Sequence, residues 1–235
     1  MSCCPTKVLP VLDASHDQSK SDGDKIYIAG HGNKKGIVFC PDIFGPHPNA
    51  YHVADILAAR GFLVVMPDFF RGEHWDIHDF PPADGWQSQK WTDFLSNLTY
   101  DRLKPRVTQG ISILKALGAT TIGGVGFCWG ACMVMNALAE GLIQSGAVAH
   151  PSMLSVELLE KAQGPVCLLP THEDGELLDI KAAAESTGHK VVYQYFNDVH
   201  HGFVSARADF NNELNRKRAN EAIDVMVEFF HDTMM

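Results

Sequence analysis

The stretch that most constrains this chain runs from Ile122 to Ala131 and reads IGGVGFCWGA. It begins as a short apolar run and contains Gly126, Cys128 and Gly130 in a Gly-x-Cys-x-Gly pattern. Apolar residues at helical spacing follow it. A strand, a sharp turn and a helix in this order are typical of a nucleophile elbow, here with cysteine in place of the more usual serine. The alternative interpretation is a structural cysteine buried in a glycine-rich turn.

The two glycines of this pattern have a steric purpose. A nucleophile held in a strained turn leaves no room for a side chain two residues before or after it. The turn aims the sulfur of Cys128 at the N-terminus of the following helix, where the helix dipole favours a thiolate. We expect the peptide N–H of Trp129, directly after the cysteine, to stabilise an oxyanion there.

The composition is that of an ordinary globular protein and argues against several classes of partner. The net charge is −9 and no block of lysines and arginines occurs, which disfavours nucleic acid or an anionic membrane surface as partner. The apolar runs are too short to span a bilayer, and the N-terminus lacks a signal-peptide pattern. We therefore expect a cytoplasmic protein, a monomer or a homodimer, that acts on a small molecule.

The cysteines give no sign of a metal site or a disulfide framework. They stand at positions 3, 4, 40, 128, 132 and 167. No Cys-x-x-Cys pair or zinc-finger spacing occurs among them, so we predict no metal and free thiols. Cys40 and Cys167 lie in apolar runs and are predicted to be core, and Cys132 is predicted to pack on the helix after the elbow. Cys3 and Cys4 fall in a terminus that we expect to be frayed.

Apolar strands and amphipathic helices alternate along the chain. Gly36–Cys40 and Phe62–Asp68 are continuous apolar runs of the kind found in buried parallel strands. Between them, Asn49–Arg60 has helical spacing, with Asn49 as the predicted N-cap. The repetition predicts right-handed βαβ units and a mostly parallel central sheet with helices on both faces.

Two segments depart from this alternation. Residues 1–24 are polar and predicted to be irregular, and Lys25–Ala29 is predicted to be an edge strand. Phe69–Lys90 combines aromatic residues, polar residues and prolines, which indicates a long ordered insertion over a strand end. No linker or repeat divides the chain, so residues 1–235 are predicted to form one domain.

Chemically active side chains follow several of the predicted strands, at the edge where parallel sheets collect their chemistry. Cys128, Asp174 and His201 occur in the chain order nucleophile, acid, histidine of an α/β-hydrolase triad. In these roles the cysteine attacks a carbonyl carbon, the histidine moves the proton, and the aspartate orients the imidazole. The N–H of Ile43, on the loop after an earlier strand, is the predicted second oxyanion donor.

Neighbouring residues compete for two of these roles, and one histidine has two interpretations. His200 adjoins His201, and we favour His201 because the glycine after it leaves room beside the ring. Glu173 competes with Asp174, and the shorter aspartate in a glycine-closed turn is the preferred choice. His150 follows another predicted strand, where it either lines the pocket or caps the helix after it.

At these residues the chain resembles the dienelactone hydrolase (carboxymethylenebutenolidase) family, in particular its eukaryotic branch. The resemblance covers roughly residues 25–230, and its markers are Asp42–Gly45, Pro67–Gly72, Gly126–Gly130, His150–Ser152, Glu173–Asp174 and His201–Phe203. It implies an α/β-hydrolase fold and hydrolysis of a small lactone or ester through an acyl-thioester, without a metal or organic cofactor. It also implies a Cys128–His201–Asp174 triad, with the oxyanion held by Ile43 and Trp129.

The resemblance implies further site residues. In the family, a carboxylate after the early strand touches the resting thiol and helps to release the thiolate. Asp42 occupies that position here, where the bacterial pattern has the longer glutamate. Arginines bind the substrate carboxylate in the bacterial enzymes, and Arg71 and Arg207 are the candidates in this chain. Trp75 and His150 complete the set of predicted substrate contacts.

Two other functions are compatible with the same residues. A peptidase or thioesterase on this fold would need the insertion at residues 69–90 to admit a longer substrate. A non-catalytic, redox-responsive binding protein would use the thiols without a hydrolytic reaction.

Overall fold

The computed structural model describes residues 20–21 and 24–235. Its strands are β1 (Lys20–Ser21), β2 (Asp24–Lys25), β3 (Tyr27–Ala29), β4 (Lys35–Cys40), β5 (Phe62–Met66), β6 (Thr121–Cys128), β7 (Gly146–Pro151), β8 (Val166–Leu169) and β9 (Val191–Tyr193). Its helices are α1 (Pro48–Ala59), α2 (Gln89–Ser96), α3 (Tyr100–Ala116), α4 (Gly130–Ala139), α5 (Val156–Leu159), α6 (Leu178–Ser186) and α7 (Glu213–Thr233), with a 3₁₀ turn at Ile77–Asp79.

The main sheet has the predicted, mostly parallel architecture. Its strand order is β3-β5-β4-β6-β7-β8-β9. Strand β3 lies at one edge, antiparallel to β5, and each following pair is parallel. The fold class predicted from the sequence is therefore confirmed, and so is the edge strand after residue 25.

The direction in which the chain adds strands reverses between β4 and β6. From β4 the chain first adds β5 on one side, and it later returns to add β6 on the other side. Residues Lys35–Cys40 of β4 pair in parallel with Thr121–Gly126 of β6. Ligands of open α/β sheets bind at such a reversal, beyond the carboxyl ends of the two strands. Cys128 and the loop beginning at Pro41 both lie there.

Helices cover both faces of the sheet, which explains the continuous apolar runs of its strands. Successive side chains of a strand point to opposite faces. In β4, Ile37 and Phe39 pack with α1 and α7, whereas Val38 and Cys40 pack with α3 and α4 on the other face. In the described part of the chain, no helix combines the length and the apolar character needed to cross a bilayer.

Three local predictions need correction or lie outside the described residues. Helix α1 begins at Pro48, and the side chain of His47, not Asn49, caps it by accepting the Asn49 N–H at 3.2 Å. Strands β1 and β2 pair as a short antiparallel hairpin, so the segment predicted to be irregular ends in regular structure. Cys3 and Cys4 lie outside the described residues.

Candidate active site

The turn between β6 and α4 holds Cys128 in a strained conformation. The φ angle of Cys128 is 53°, in the left-handed region that ordinary side chains rarely adopt. A Cβ on Gly126 would lie 2.5 Å from the carbonyl oxygen of Gly130, and a Cβ on Gly130 would lie 2.1 Å from that of Cys40. Both glycines are therefore required by close backbone approach, as the sequence pattern predicted. Strain of this kind is typical of functional positions.

The structure brings His201 and Asp174 together from the loops after β9 and β8. The His201 Nδ1 lies 2.5 Å from Asp174 Oδ1, and the two side chains are 19% and 6% exposed. The second carboxylate oxygen of Asp174 accepts hydrogen bonds from the Thr171 N–H at 2.8 Å and the Thr171 hydroxyl at 2.7 Å. The carboxylate is thus fixed, and it binds the imidazole at Nδ1 and not at Nε2.

The pKa of His201 is set by burial and by its two neighbours, Asp174 and Cys128. Burial opposes protonation of the imidazole, but hydrogen bonds with Asp174 and Cys128 outweigh it and raise the pKa of His201 to about 10. An imidazolium at neutral pH beside Cys128 places a positive charge next to the sulfur. Burial instead raises the pKa of the Cys40 and Cys167 thiols, which are fully buried.

The residues that competed for the acid and base roles hold the main chain of the same loop. Glu173 Oε2 accepts the backbone N–H of His201 at 2.9 Å. The Nδ1 of His200 lies 2.9 Å from the carbonyl oxygen of His201. The geometry therefore favours Asp174 and His201 in the two roles, with their sequence neighbours as loop supports.

The two predicted oxyanion donors belong to residues that lie beside Cys128. Ile43 and Trp129 line the same cavity as Cys128. Trp129 directly precedes α4, so its N–H belongs to the helix end where backbone donors lack intrahelical partners. Its indole is buried and donates to the carbonyl oxygen of Leu98 at 2.9 Å, which fixes the residue in place.

Asp42 is turned toward a distant segment of the chain. Its carboxylate accepts from the Phe44 N–H at 3.0 Å, the Ser205 hydroxyl at 2.5 Å and the Ala206 N–H at 3.0 Å. Burial raises the pKa of Asp42, and these three donors oppose that shift. The described hydrogen bonds of Asp42 do not include one with Cys128, although both residues line the same cavity.

His150 neither lines the cavities around Cys128 nor caps a helix, which corrects both interpretations of it. It is fully buried behind His201, with ring centroids 4.9 Å apart, and its Nε2 lies 3.4 Å from the Ser205 hydroxyl. Its Nδ1 has no hydrogen-bond partner among the described residues. Burial and the charge of His201 lower the pKa of His150 well below its ordinary value. The cap of α5 is Ser155.

Ser152 is a site residue that sequence reasoning missed. Its hydroxyl lies 3.7 Å from the sulfur of Cys128, and its N–H donates to the Cys128 carbonyl at 3.0 Å. In the sequence, Ser152 stands two residues after His150, just beyond a predicted strand, and this position indicates that it lies near the carboxyl edge of the sheet. That position alone does not show which way the hydroxyl points.

The cavity that contains Cys128 has a volume of about 330 Å³. Its lining residues are Asp42, Ile43, Phe44, Phe80, Trp86, Trp91, Leu95, Cys128, Trp129, Ser152, Met153, His201, Gly202 and Arg207. Of the predicted substrate contacts, Arg207 is in this set. Arg71 lines a different cavity, beside Arg102 and Arg106. Trp75 is buried and packs edge-on against Trp91.

Comparison with known proteins agrees with the fold and with the resemblance seen in the sequence. The model of the dienelactone hydrolase family matches residues 25–234. A hydrolase of Aspergillus violaceofuscus named PyvD is 30% identical over 239 residues, covering 97% of this chain and 95% of the relative. The carboxymethylenebutenolidase homolog of Homo sapiens is 25% identical over 210 residues, covering 85% and 83% of the two chains. The crystal structure of a dienelactone hydrolase from Anabaena variabilis superposes with a TM-score of 0.60 at 14% identity, covering 94% and 97% of the chains.

Proposed function

Because this chain belongs to the dienelactone hydrolase family, we propose that it hydrolyses small esters or lactones with Cys128 as nucleophile. The observation that carries the proposal is the placement of the His201 imidazole. It is held by Asp174 at 2.5 Å, it lines the same cavity as Cys128, and its pKa is raised by both of these neighbours. The relatives named as a hydrolase and as a carboxymethylenebutenolidase homolog support the same reaction class.

The first half of the proposed reaction forms an acyl-thioester. The Cys128 thiolate attacks the carbonyl carbon, and the carbonyl electron pair moves onto oxygen. The N–H groups of Ile43 and Trp129 stabilise that oxyanion. When the carbonyl re-forms, the bond to the alkoxy oxygen breaks, and Nε2 of His201 gives its proton to the departing alcohol.

The second half returns the enzyme to its resting state. The neutral imidazole of His201 takes a proton from water as the water oxygen attacks the thioester carbon. The tetrahedral adduct uses the same two N–H donors and then expels the Cys128 thiolate, releasing the carboxylic acid. Asp174 keeps Nδ1 of the imidazole protonated and stabilises the imidazolium in both halves.

The size of the cavity favours a small substrate over a peptide. A volume of about 330 Å³ lies at the lower end of the range for small-molecule sites. Trp86 and Phe80 of the insertion stand over this cavity, with ring centroids 5.5 Å apart. A peptidase or thioesterase that acts on a longer acyl chain would require these two rings to move aside. The paired imidazole and carboxylate likewise favour catalysis over a purely redox-responsive role.

Hydrolysis of a panel of lactones and aryl esters by the wild type and by Cys128→Ala tests the proposal. We expect the variant to lose at least a thousandfold in kcat/KM on every substrate that the wild type cleaves. Cys132→Ala is the matched control, because Cys132 lies one helical turn further on and is not among the residues around the reacting sulfur. Equal rates for wild type and Cys128→Ala would contradict the proposal.

A further inference from the structure

Two cavities meet at His201. The inner chamber is the 330 Å³ cavity described above, which contains Cys128, Ile43 and Trp129. The outer chamber has a volume of about 620 Å³. Residues lining only the outer chamber are Ile77, Pro81, Pro151, Glu173 and Asp174, and residues lining both are Phe80, Trp86, Ser152, Met153, His201 and Arg207. The imidazole therefore stands at the boundary, while the nucleophile belongs to the inner chamber.

The two chambers lie on the sides where the alcohol portion and the acyl portion of an ester extend during the reaction. In the tetrahedral intermediate the oxyanion points to the N–H groups of Ile43 and Trp129. The leaving oxygen must lie next to His201, because the imidazole donates its proton there. The outer chamber is lined by His201 but not by Cys128 or by the residues of the two oxyanion donors. The alcohol portion therefore extends into the outer chamber. The remaining substituent of the carbon, the acyl chain, then occupies the inner chamber.

The wall of the inner chamber is chiefly apolar. Its large apolar side chains include those of Phe44, Phe80, Trp86, Trp91, Leu95 and Met153. Aromatic contacts join several of them, with ring centroids 5.4 Å apart for Phe44 and Phe80 and 5.1 Å apart for Trp86 and Trp91. The carboxylate of Asp42 is occupied by its own three donors. The acyl group therefore meets hydrocarbon, whose burial is favourable for apolar groups and costly for charged ones.

Arg207 is the guanidinium at the chamber boundary, and it already has partners within the protein. Its Nη1 donates to the carbonyl oxygen of His201 at 2.7 Å, and the same nitrogen lies 3.9 Å from the carboxylate of Glu173. Its guanidinium carbon also lies 5.5 Å from the centre of the Phe80 ring. These contacts hold the guanidinium against the His201 loop and the Phe80 ring, at the boundary between the two chambers.

We propose that the preferred substrates are esters of an uncharged, apolar acyl group held in the inner chamber, with the alcohol in the outer chamber. This inference rests on the hydrolase function proposed above. At about 30 Å³ per non-hydrogen atom, the volume of one water in the liquid, the inner chamber holds roughly ten such atoms. That corresponds to a hexanoyl, octanoyl or arylacetyl group. The outer chamber is larger and accepts a wider range of alcohols.

Two ester series test the chamber assignment. The first varies the acyl group of p-nitrophenyl esters from acetyl to octanoyl and includes a glutaryl monoester as the charged counterpart. The second varies the alcohol of butyrate esters from methanol to octanol. A buried methylene is worth up to about fourfold in kcat/KM, so we expect hexanoate to exceed acetate by at least tenfold in the wild type. We expect the glutaryl ester to be at least tenfold poorer than hexanoate.

Matched tryptophan substitutions distinguish the chambers. Leu95 lines only the inner chamber and Ile77 only the outer one. Leu95→Trp should reduce the hexanoate-to-acetate ratio at least tenfold and preserve the order of the alcohol series. Ile77→Trp should change the alcohol series and preserve the hexanoate-to-acetate ratio. Measurable acetate hydrolysis shows that each variant is folded.

The outcomes separate this inference from the proposed function. If the wild type cleaves no ester faster than Cys128→Ala, the proposed function fails. If the wild type cleaves esters but prefers the glutaryl ester, or if Leu95→Trp alters the alcohol series instead of the acyl series, the chamber assignment is overturned and the hydrolase function stands. Should Leu95→Trp not fold, the wild-type acyl series decides.

Discussion

The proton that the proposed reaction moves resides on His201. Its pKa of about 10 is raised from an ordinary value of 6.5 because Asp174 and Cys128 outweigh the effect of burial. A group with a raised pKa in the folded state stabilises the protein fully below its unfolded pKa, and this contribution is lost as the pH rises through the folded pKa. For His201 the loss therefore spans about pH 6.5 to 10.

The same shift predicts the alkaline limb of the activity profile. In the wild type we expect kcat/KM to fall only as the pH approaches about 10, when His201 loses its proton. Asp174→Asn removes the carboxylate and with it much of the shift, so the fall should move to lower pH by at least one unit. We also expect that variant to lose roughly a hundredfold to ten-thousandfold in kcat.

The matched control is Glu173→Gln, which changes the neighbouring carboxylate. Glu173 binds the backbone N–H of His201 and not its ring. The alkaline limb of that variant should therefore stay within half a pH unit of the wild-type limb. An Asp174→Asn profile that coincides with the wild-type profile would contradict the assigned role of Asp174.

At the scale of elements, Asp42 joins the loop after β4 to the segment that precedes α7. The bonds from its carboxylate to Ser205 and Ala206 bridge 163 and 164 positions of the chain. Hydrogen bonds to a buried charged group are each worth about 1.5–3 kcal/mol. This tie fixes Ile43 on one side and Arg207 on the other, so we assign Asp42 a supporting role in the site.

Asp42→Asn tests whether this carboxylate acts on the fold or on the thiol. We expect the free energy of unfolding to fall by about 1–3 kcal/mol, because an asparagine side chain offers one acceptor oxygen in place of two. The alkylation rate of Cys128 by iodoacetamide should stay within about twofold of the wild-type rate. Denaturant titration and peptide mass spectrometry measure the two quantities.

Ser205→Ala removes the hydroxyl that donates to Asp42. We expect it to lower the free energy of unfolding in the same way as Asp42→Asn. A tenfold change in the alkylation rate of Cys128 in Asp42→Asn, with stability unchanged, would show that the carboxylate modulates the thiol directly.

Sequence patterns predict the parts of this site that local backbone rules determine. Cys128 is recognisable because its turn needs glycines at fixed positions, and Asp174 and His201 because they follow strands whose apolar runs are continuous. The partners of Asp42 are not predictable in this way, since no local pattern relates it to Ser205. Arg71 illustrates the same limit. Its backbone N–H is bound by Asp68 at 2.8 Å in a left-handed turn, and its side chain lines another cavity.

At the scale of the whole molecule, the site combines a parallel sheet with one aromatic insertion. The sheet sets Cys128 and the loop that carries Ile43 at the ends of β6 and β4, where the strand order reverses. The segment at residues 69–90 then covers them with Phe80 and Trp86, the latter 54% exposed at the mouth. The sequence indicates that this insertion is aromatic. It does not indicate which rings face Cys128, because that depends on packing against α2.

In the proposed reaction the acyl group is transferred to the sulfur of Cys128 before water removes it. Quenching the enzyme in acid within milliseconds of mixing with p-nitrophenyl hexanoate, followed by intact and peptide mass spectrometry, tests this transfer most directly. We predict a transient hexanoyl adduct on the peptide that contains Cys128, which is lost on further incubation and is absent from Cys128→Ala. Turnover of the ester with the adduct on another residue, or with Cys128 unmodified at every time point, would contradict it.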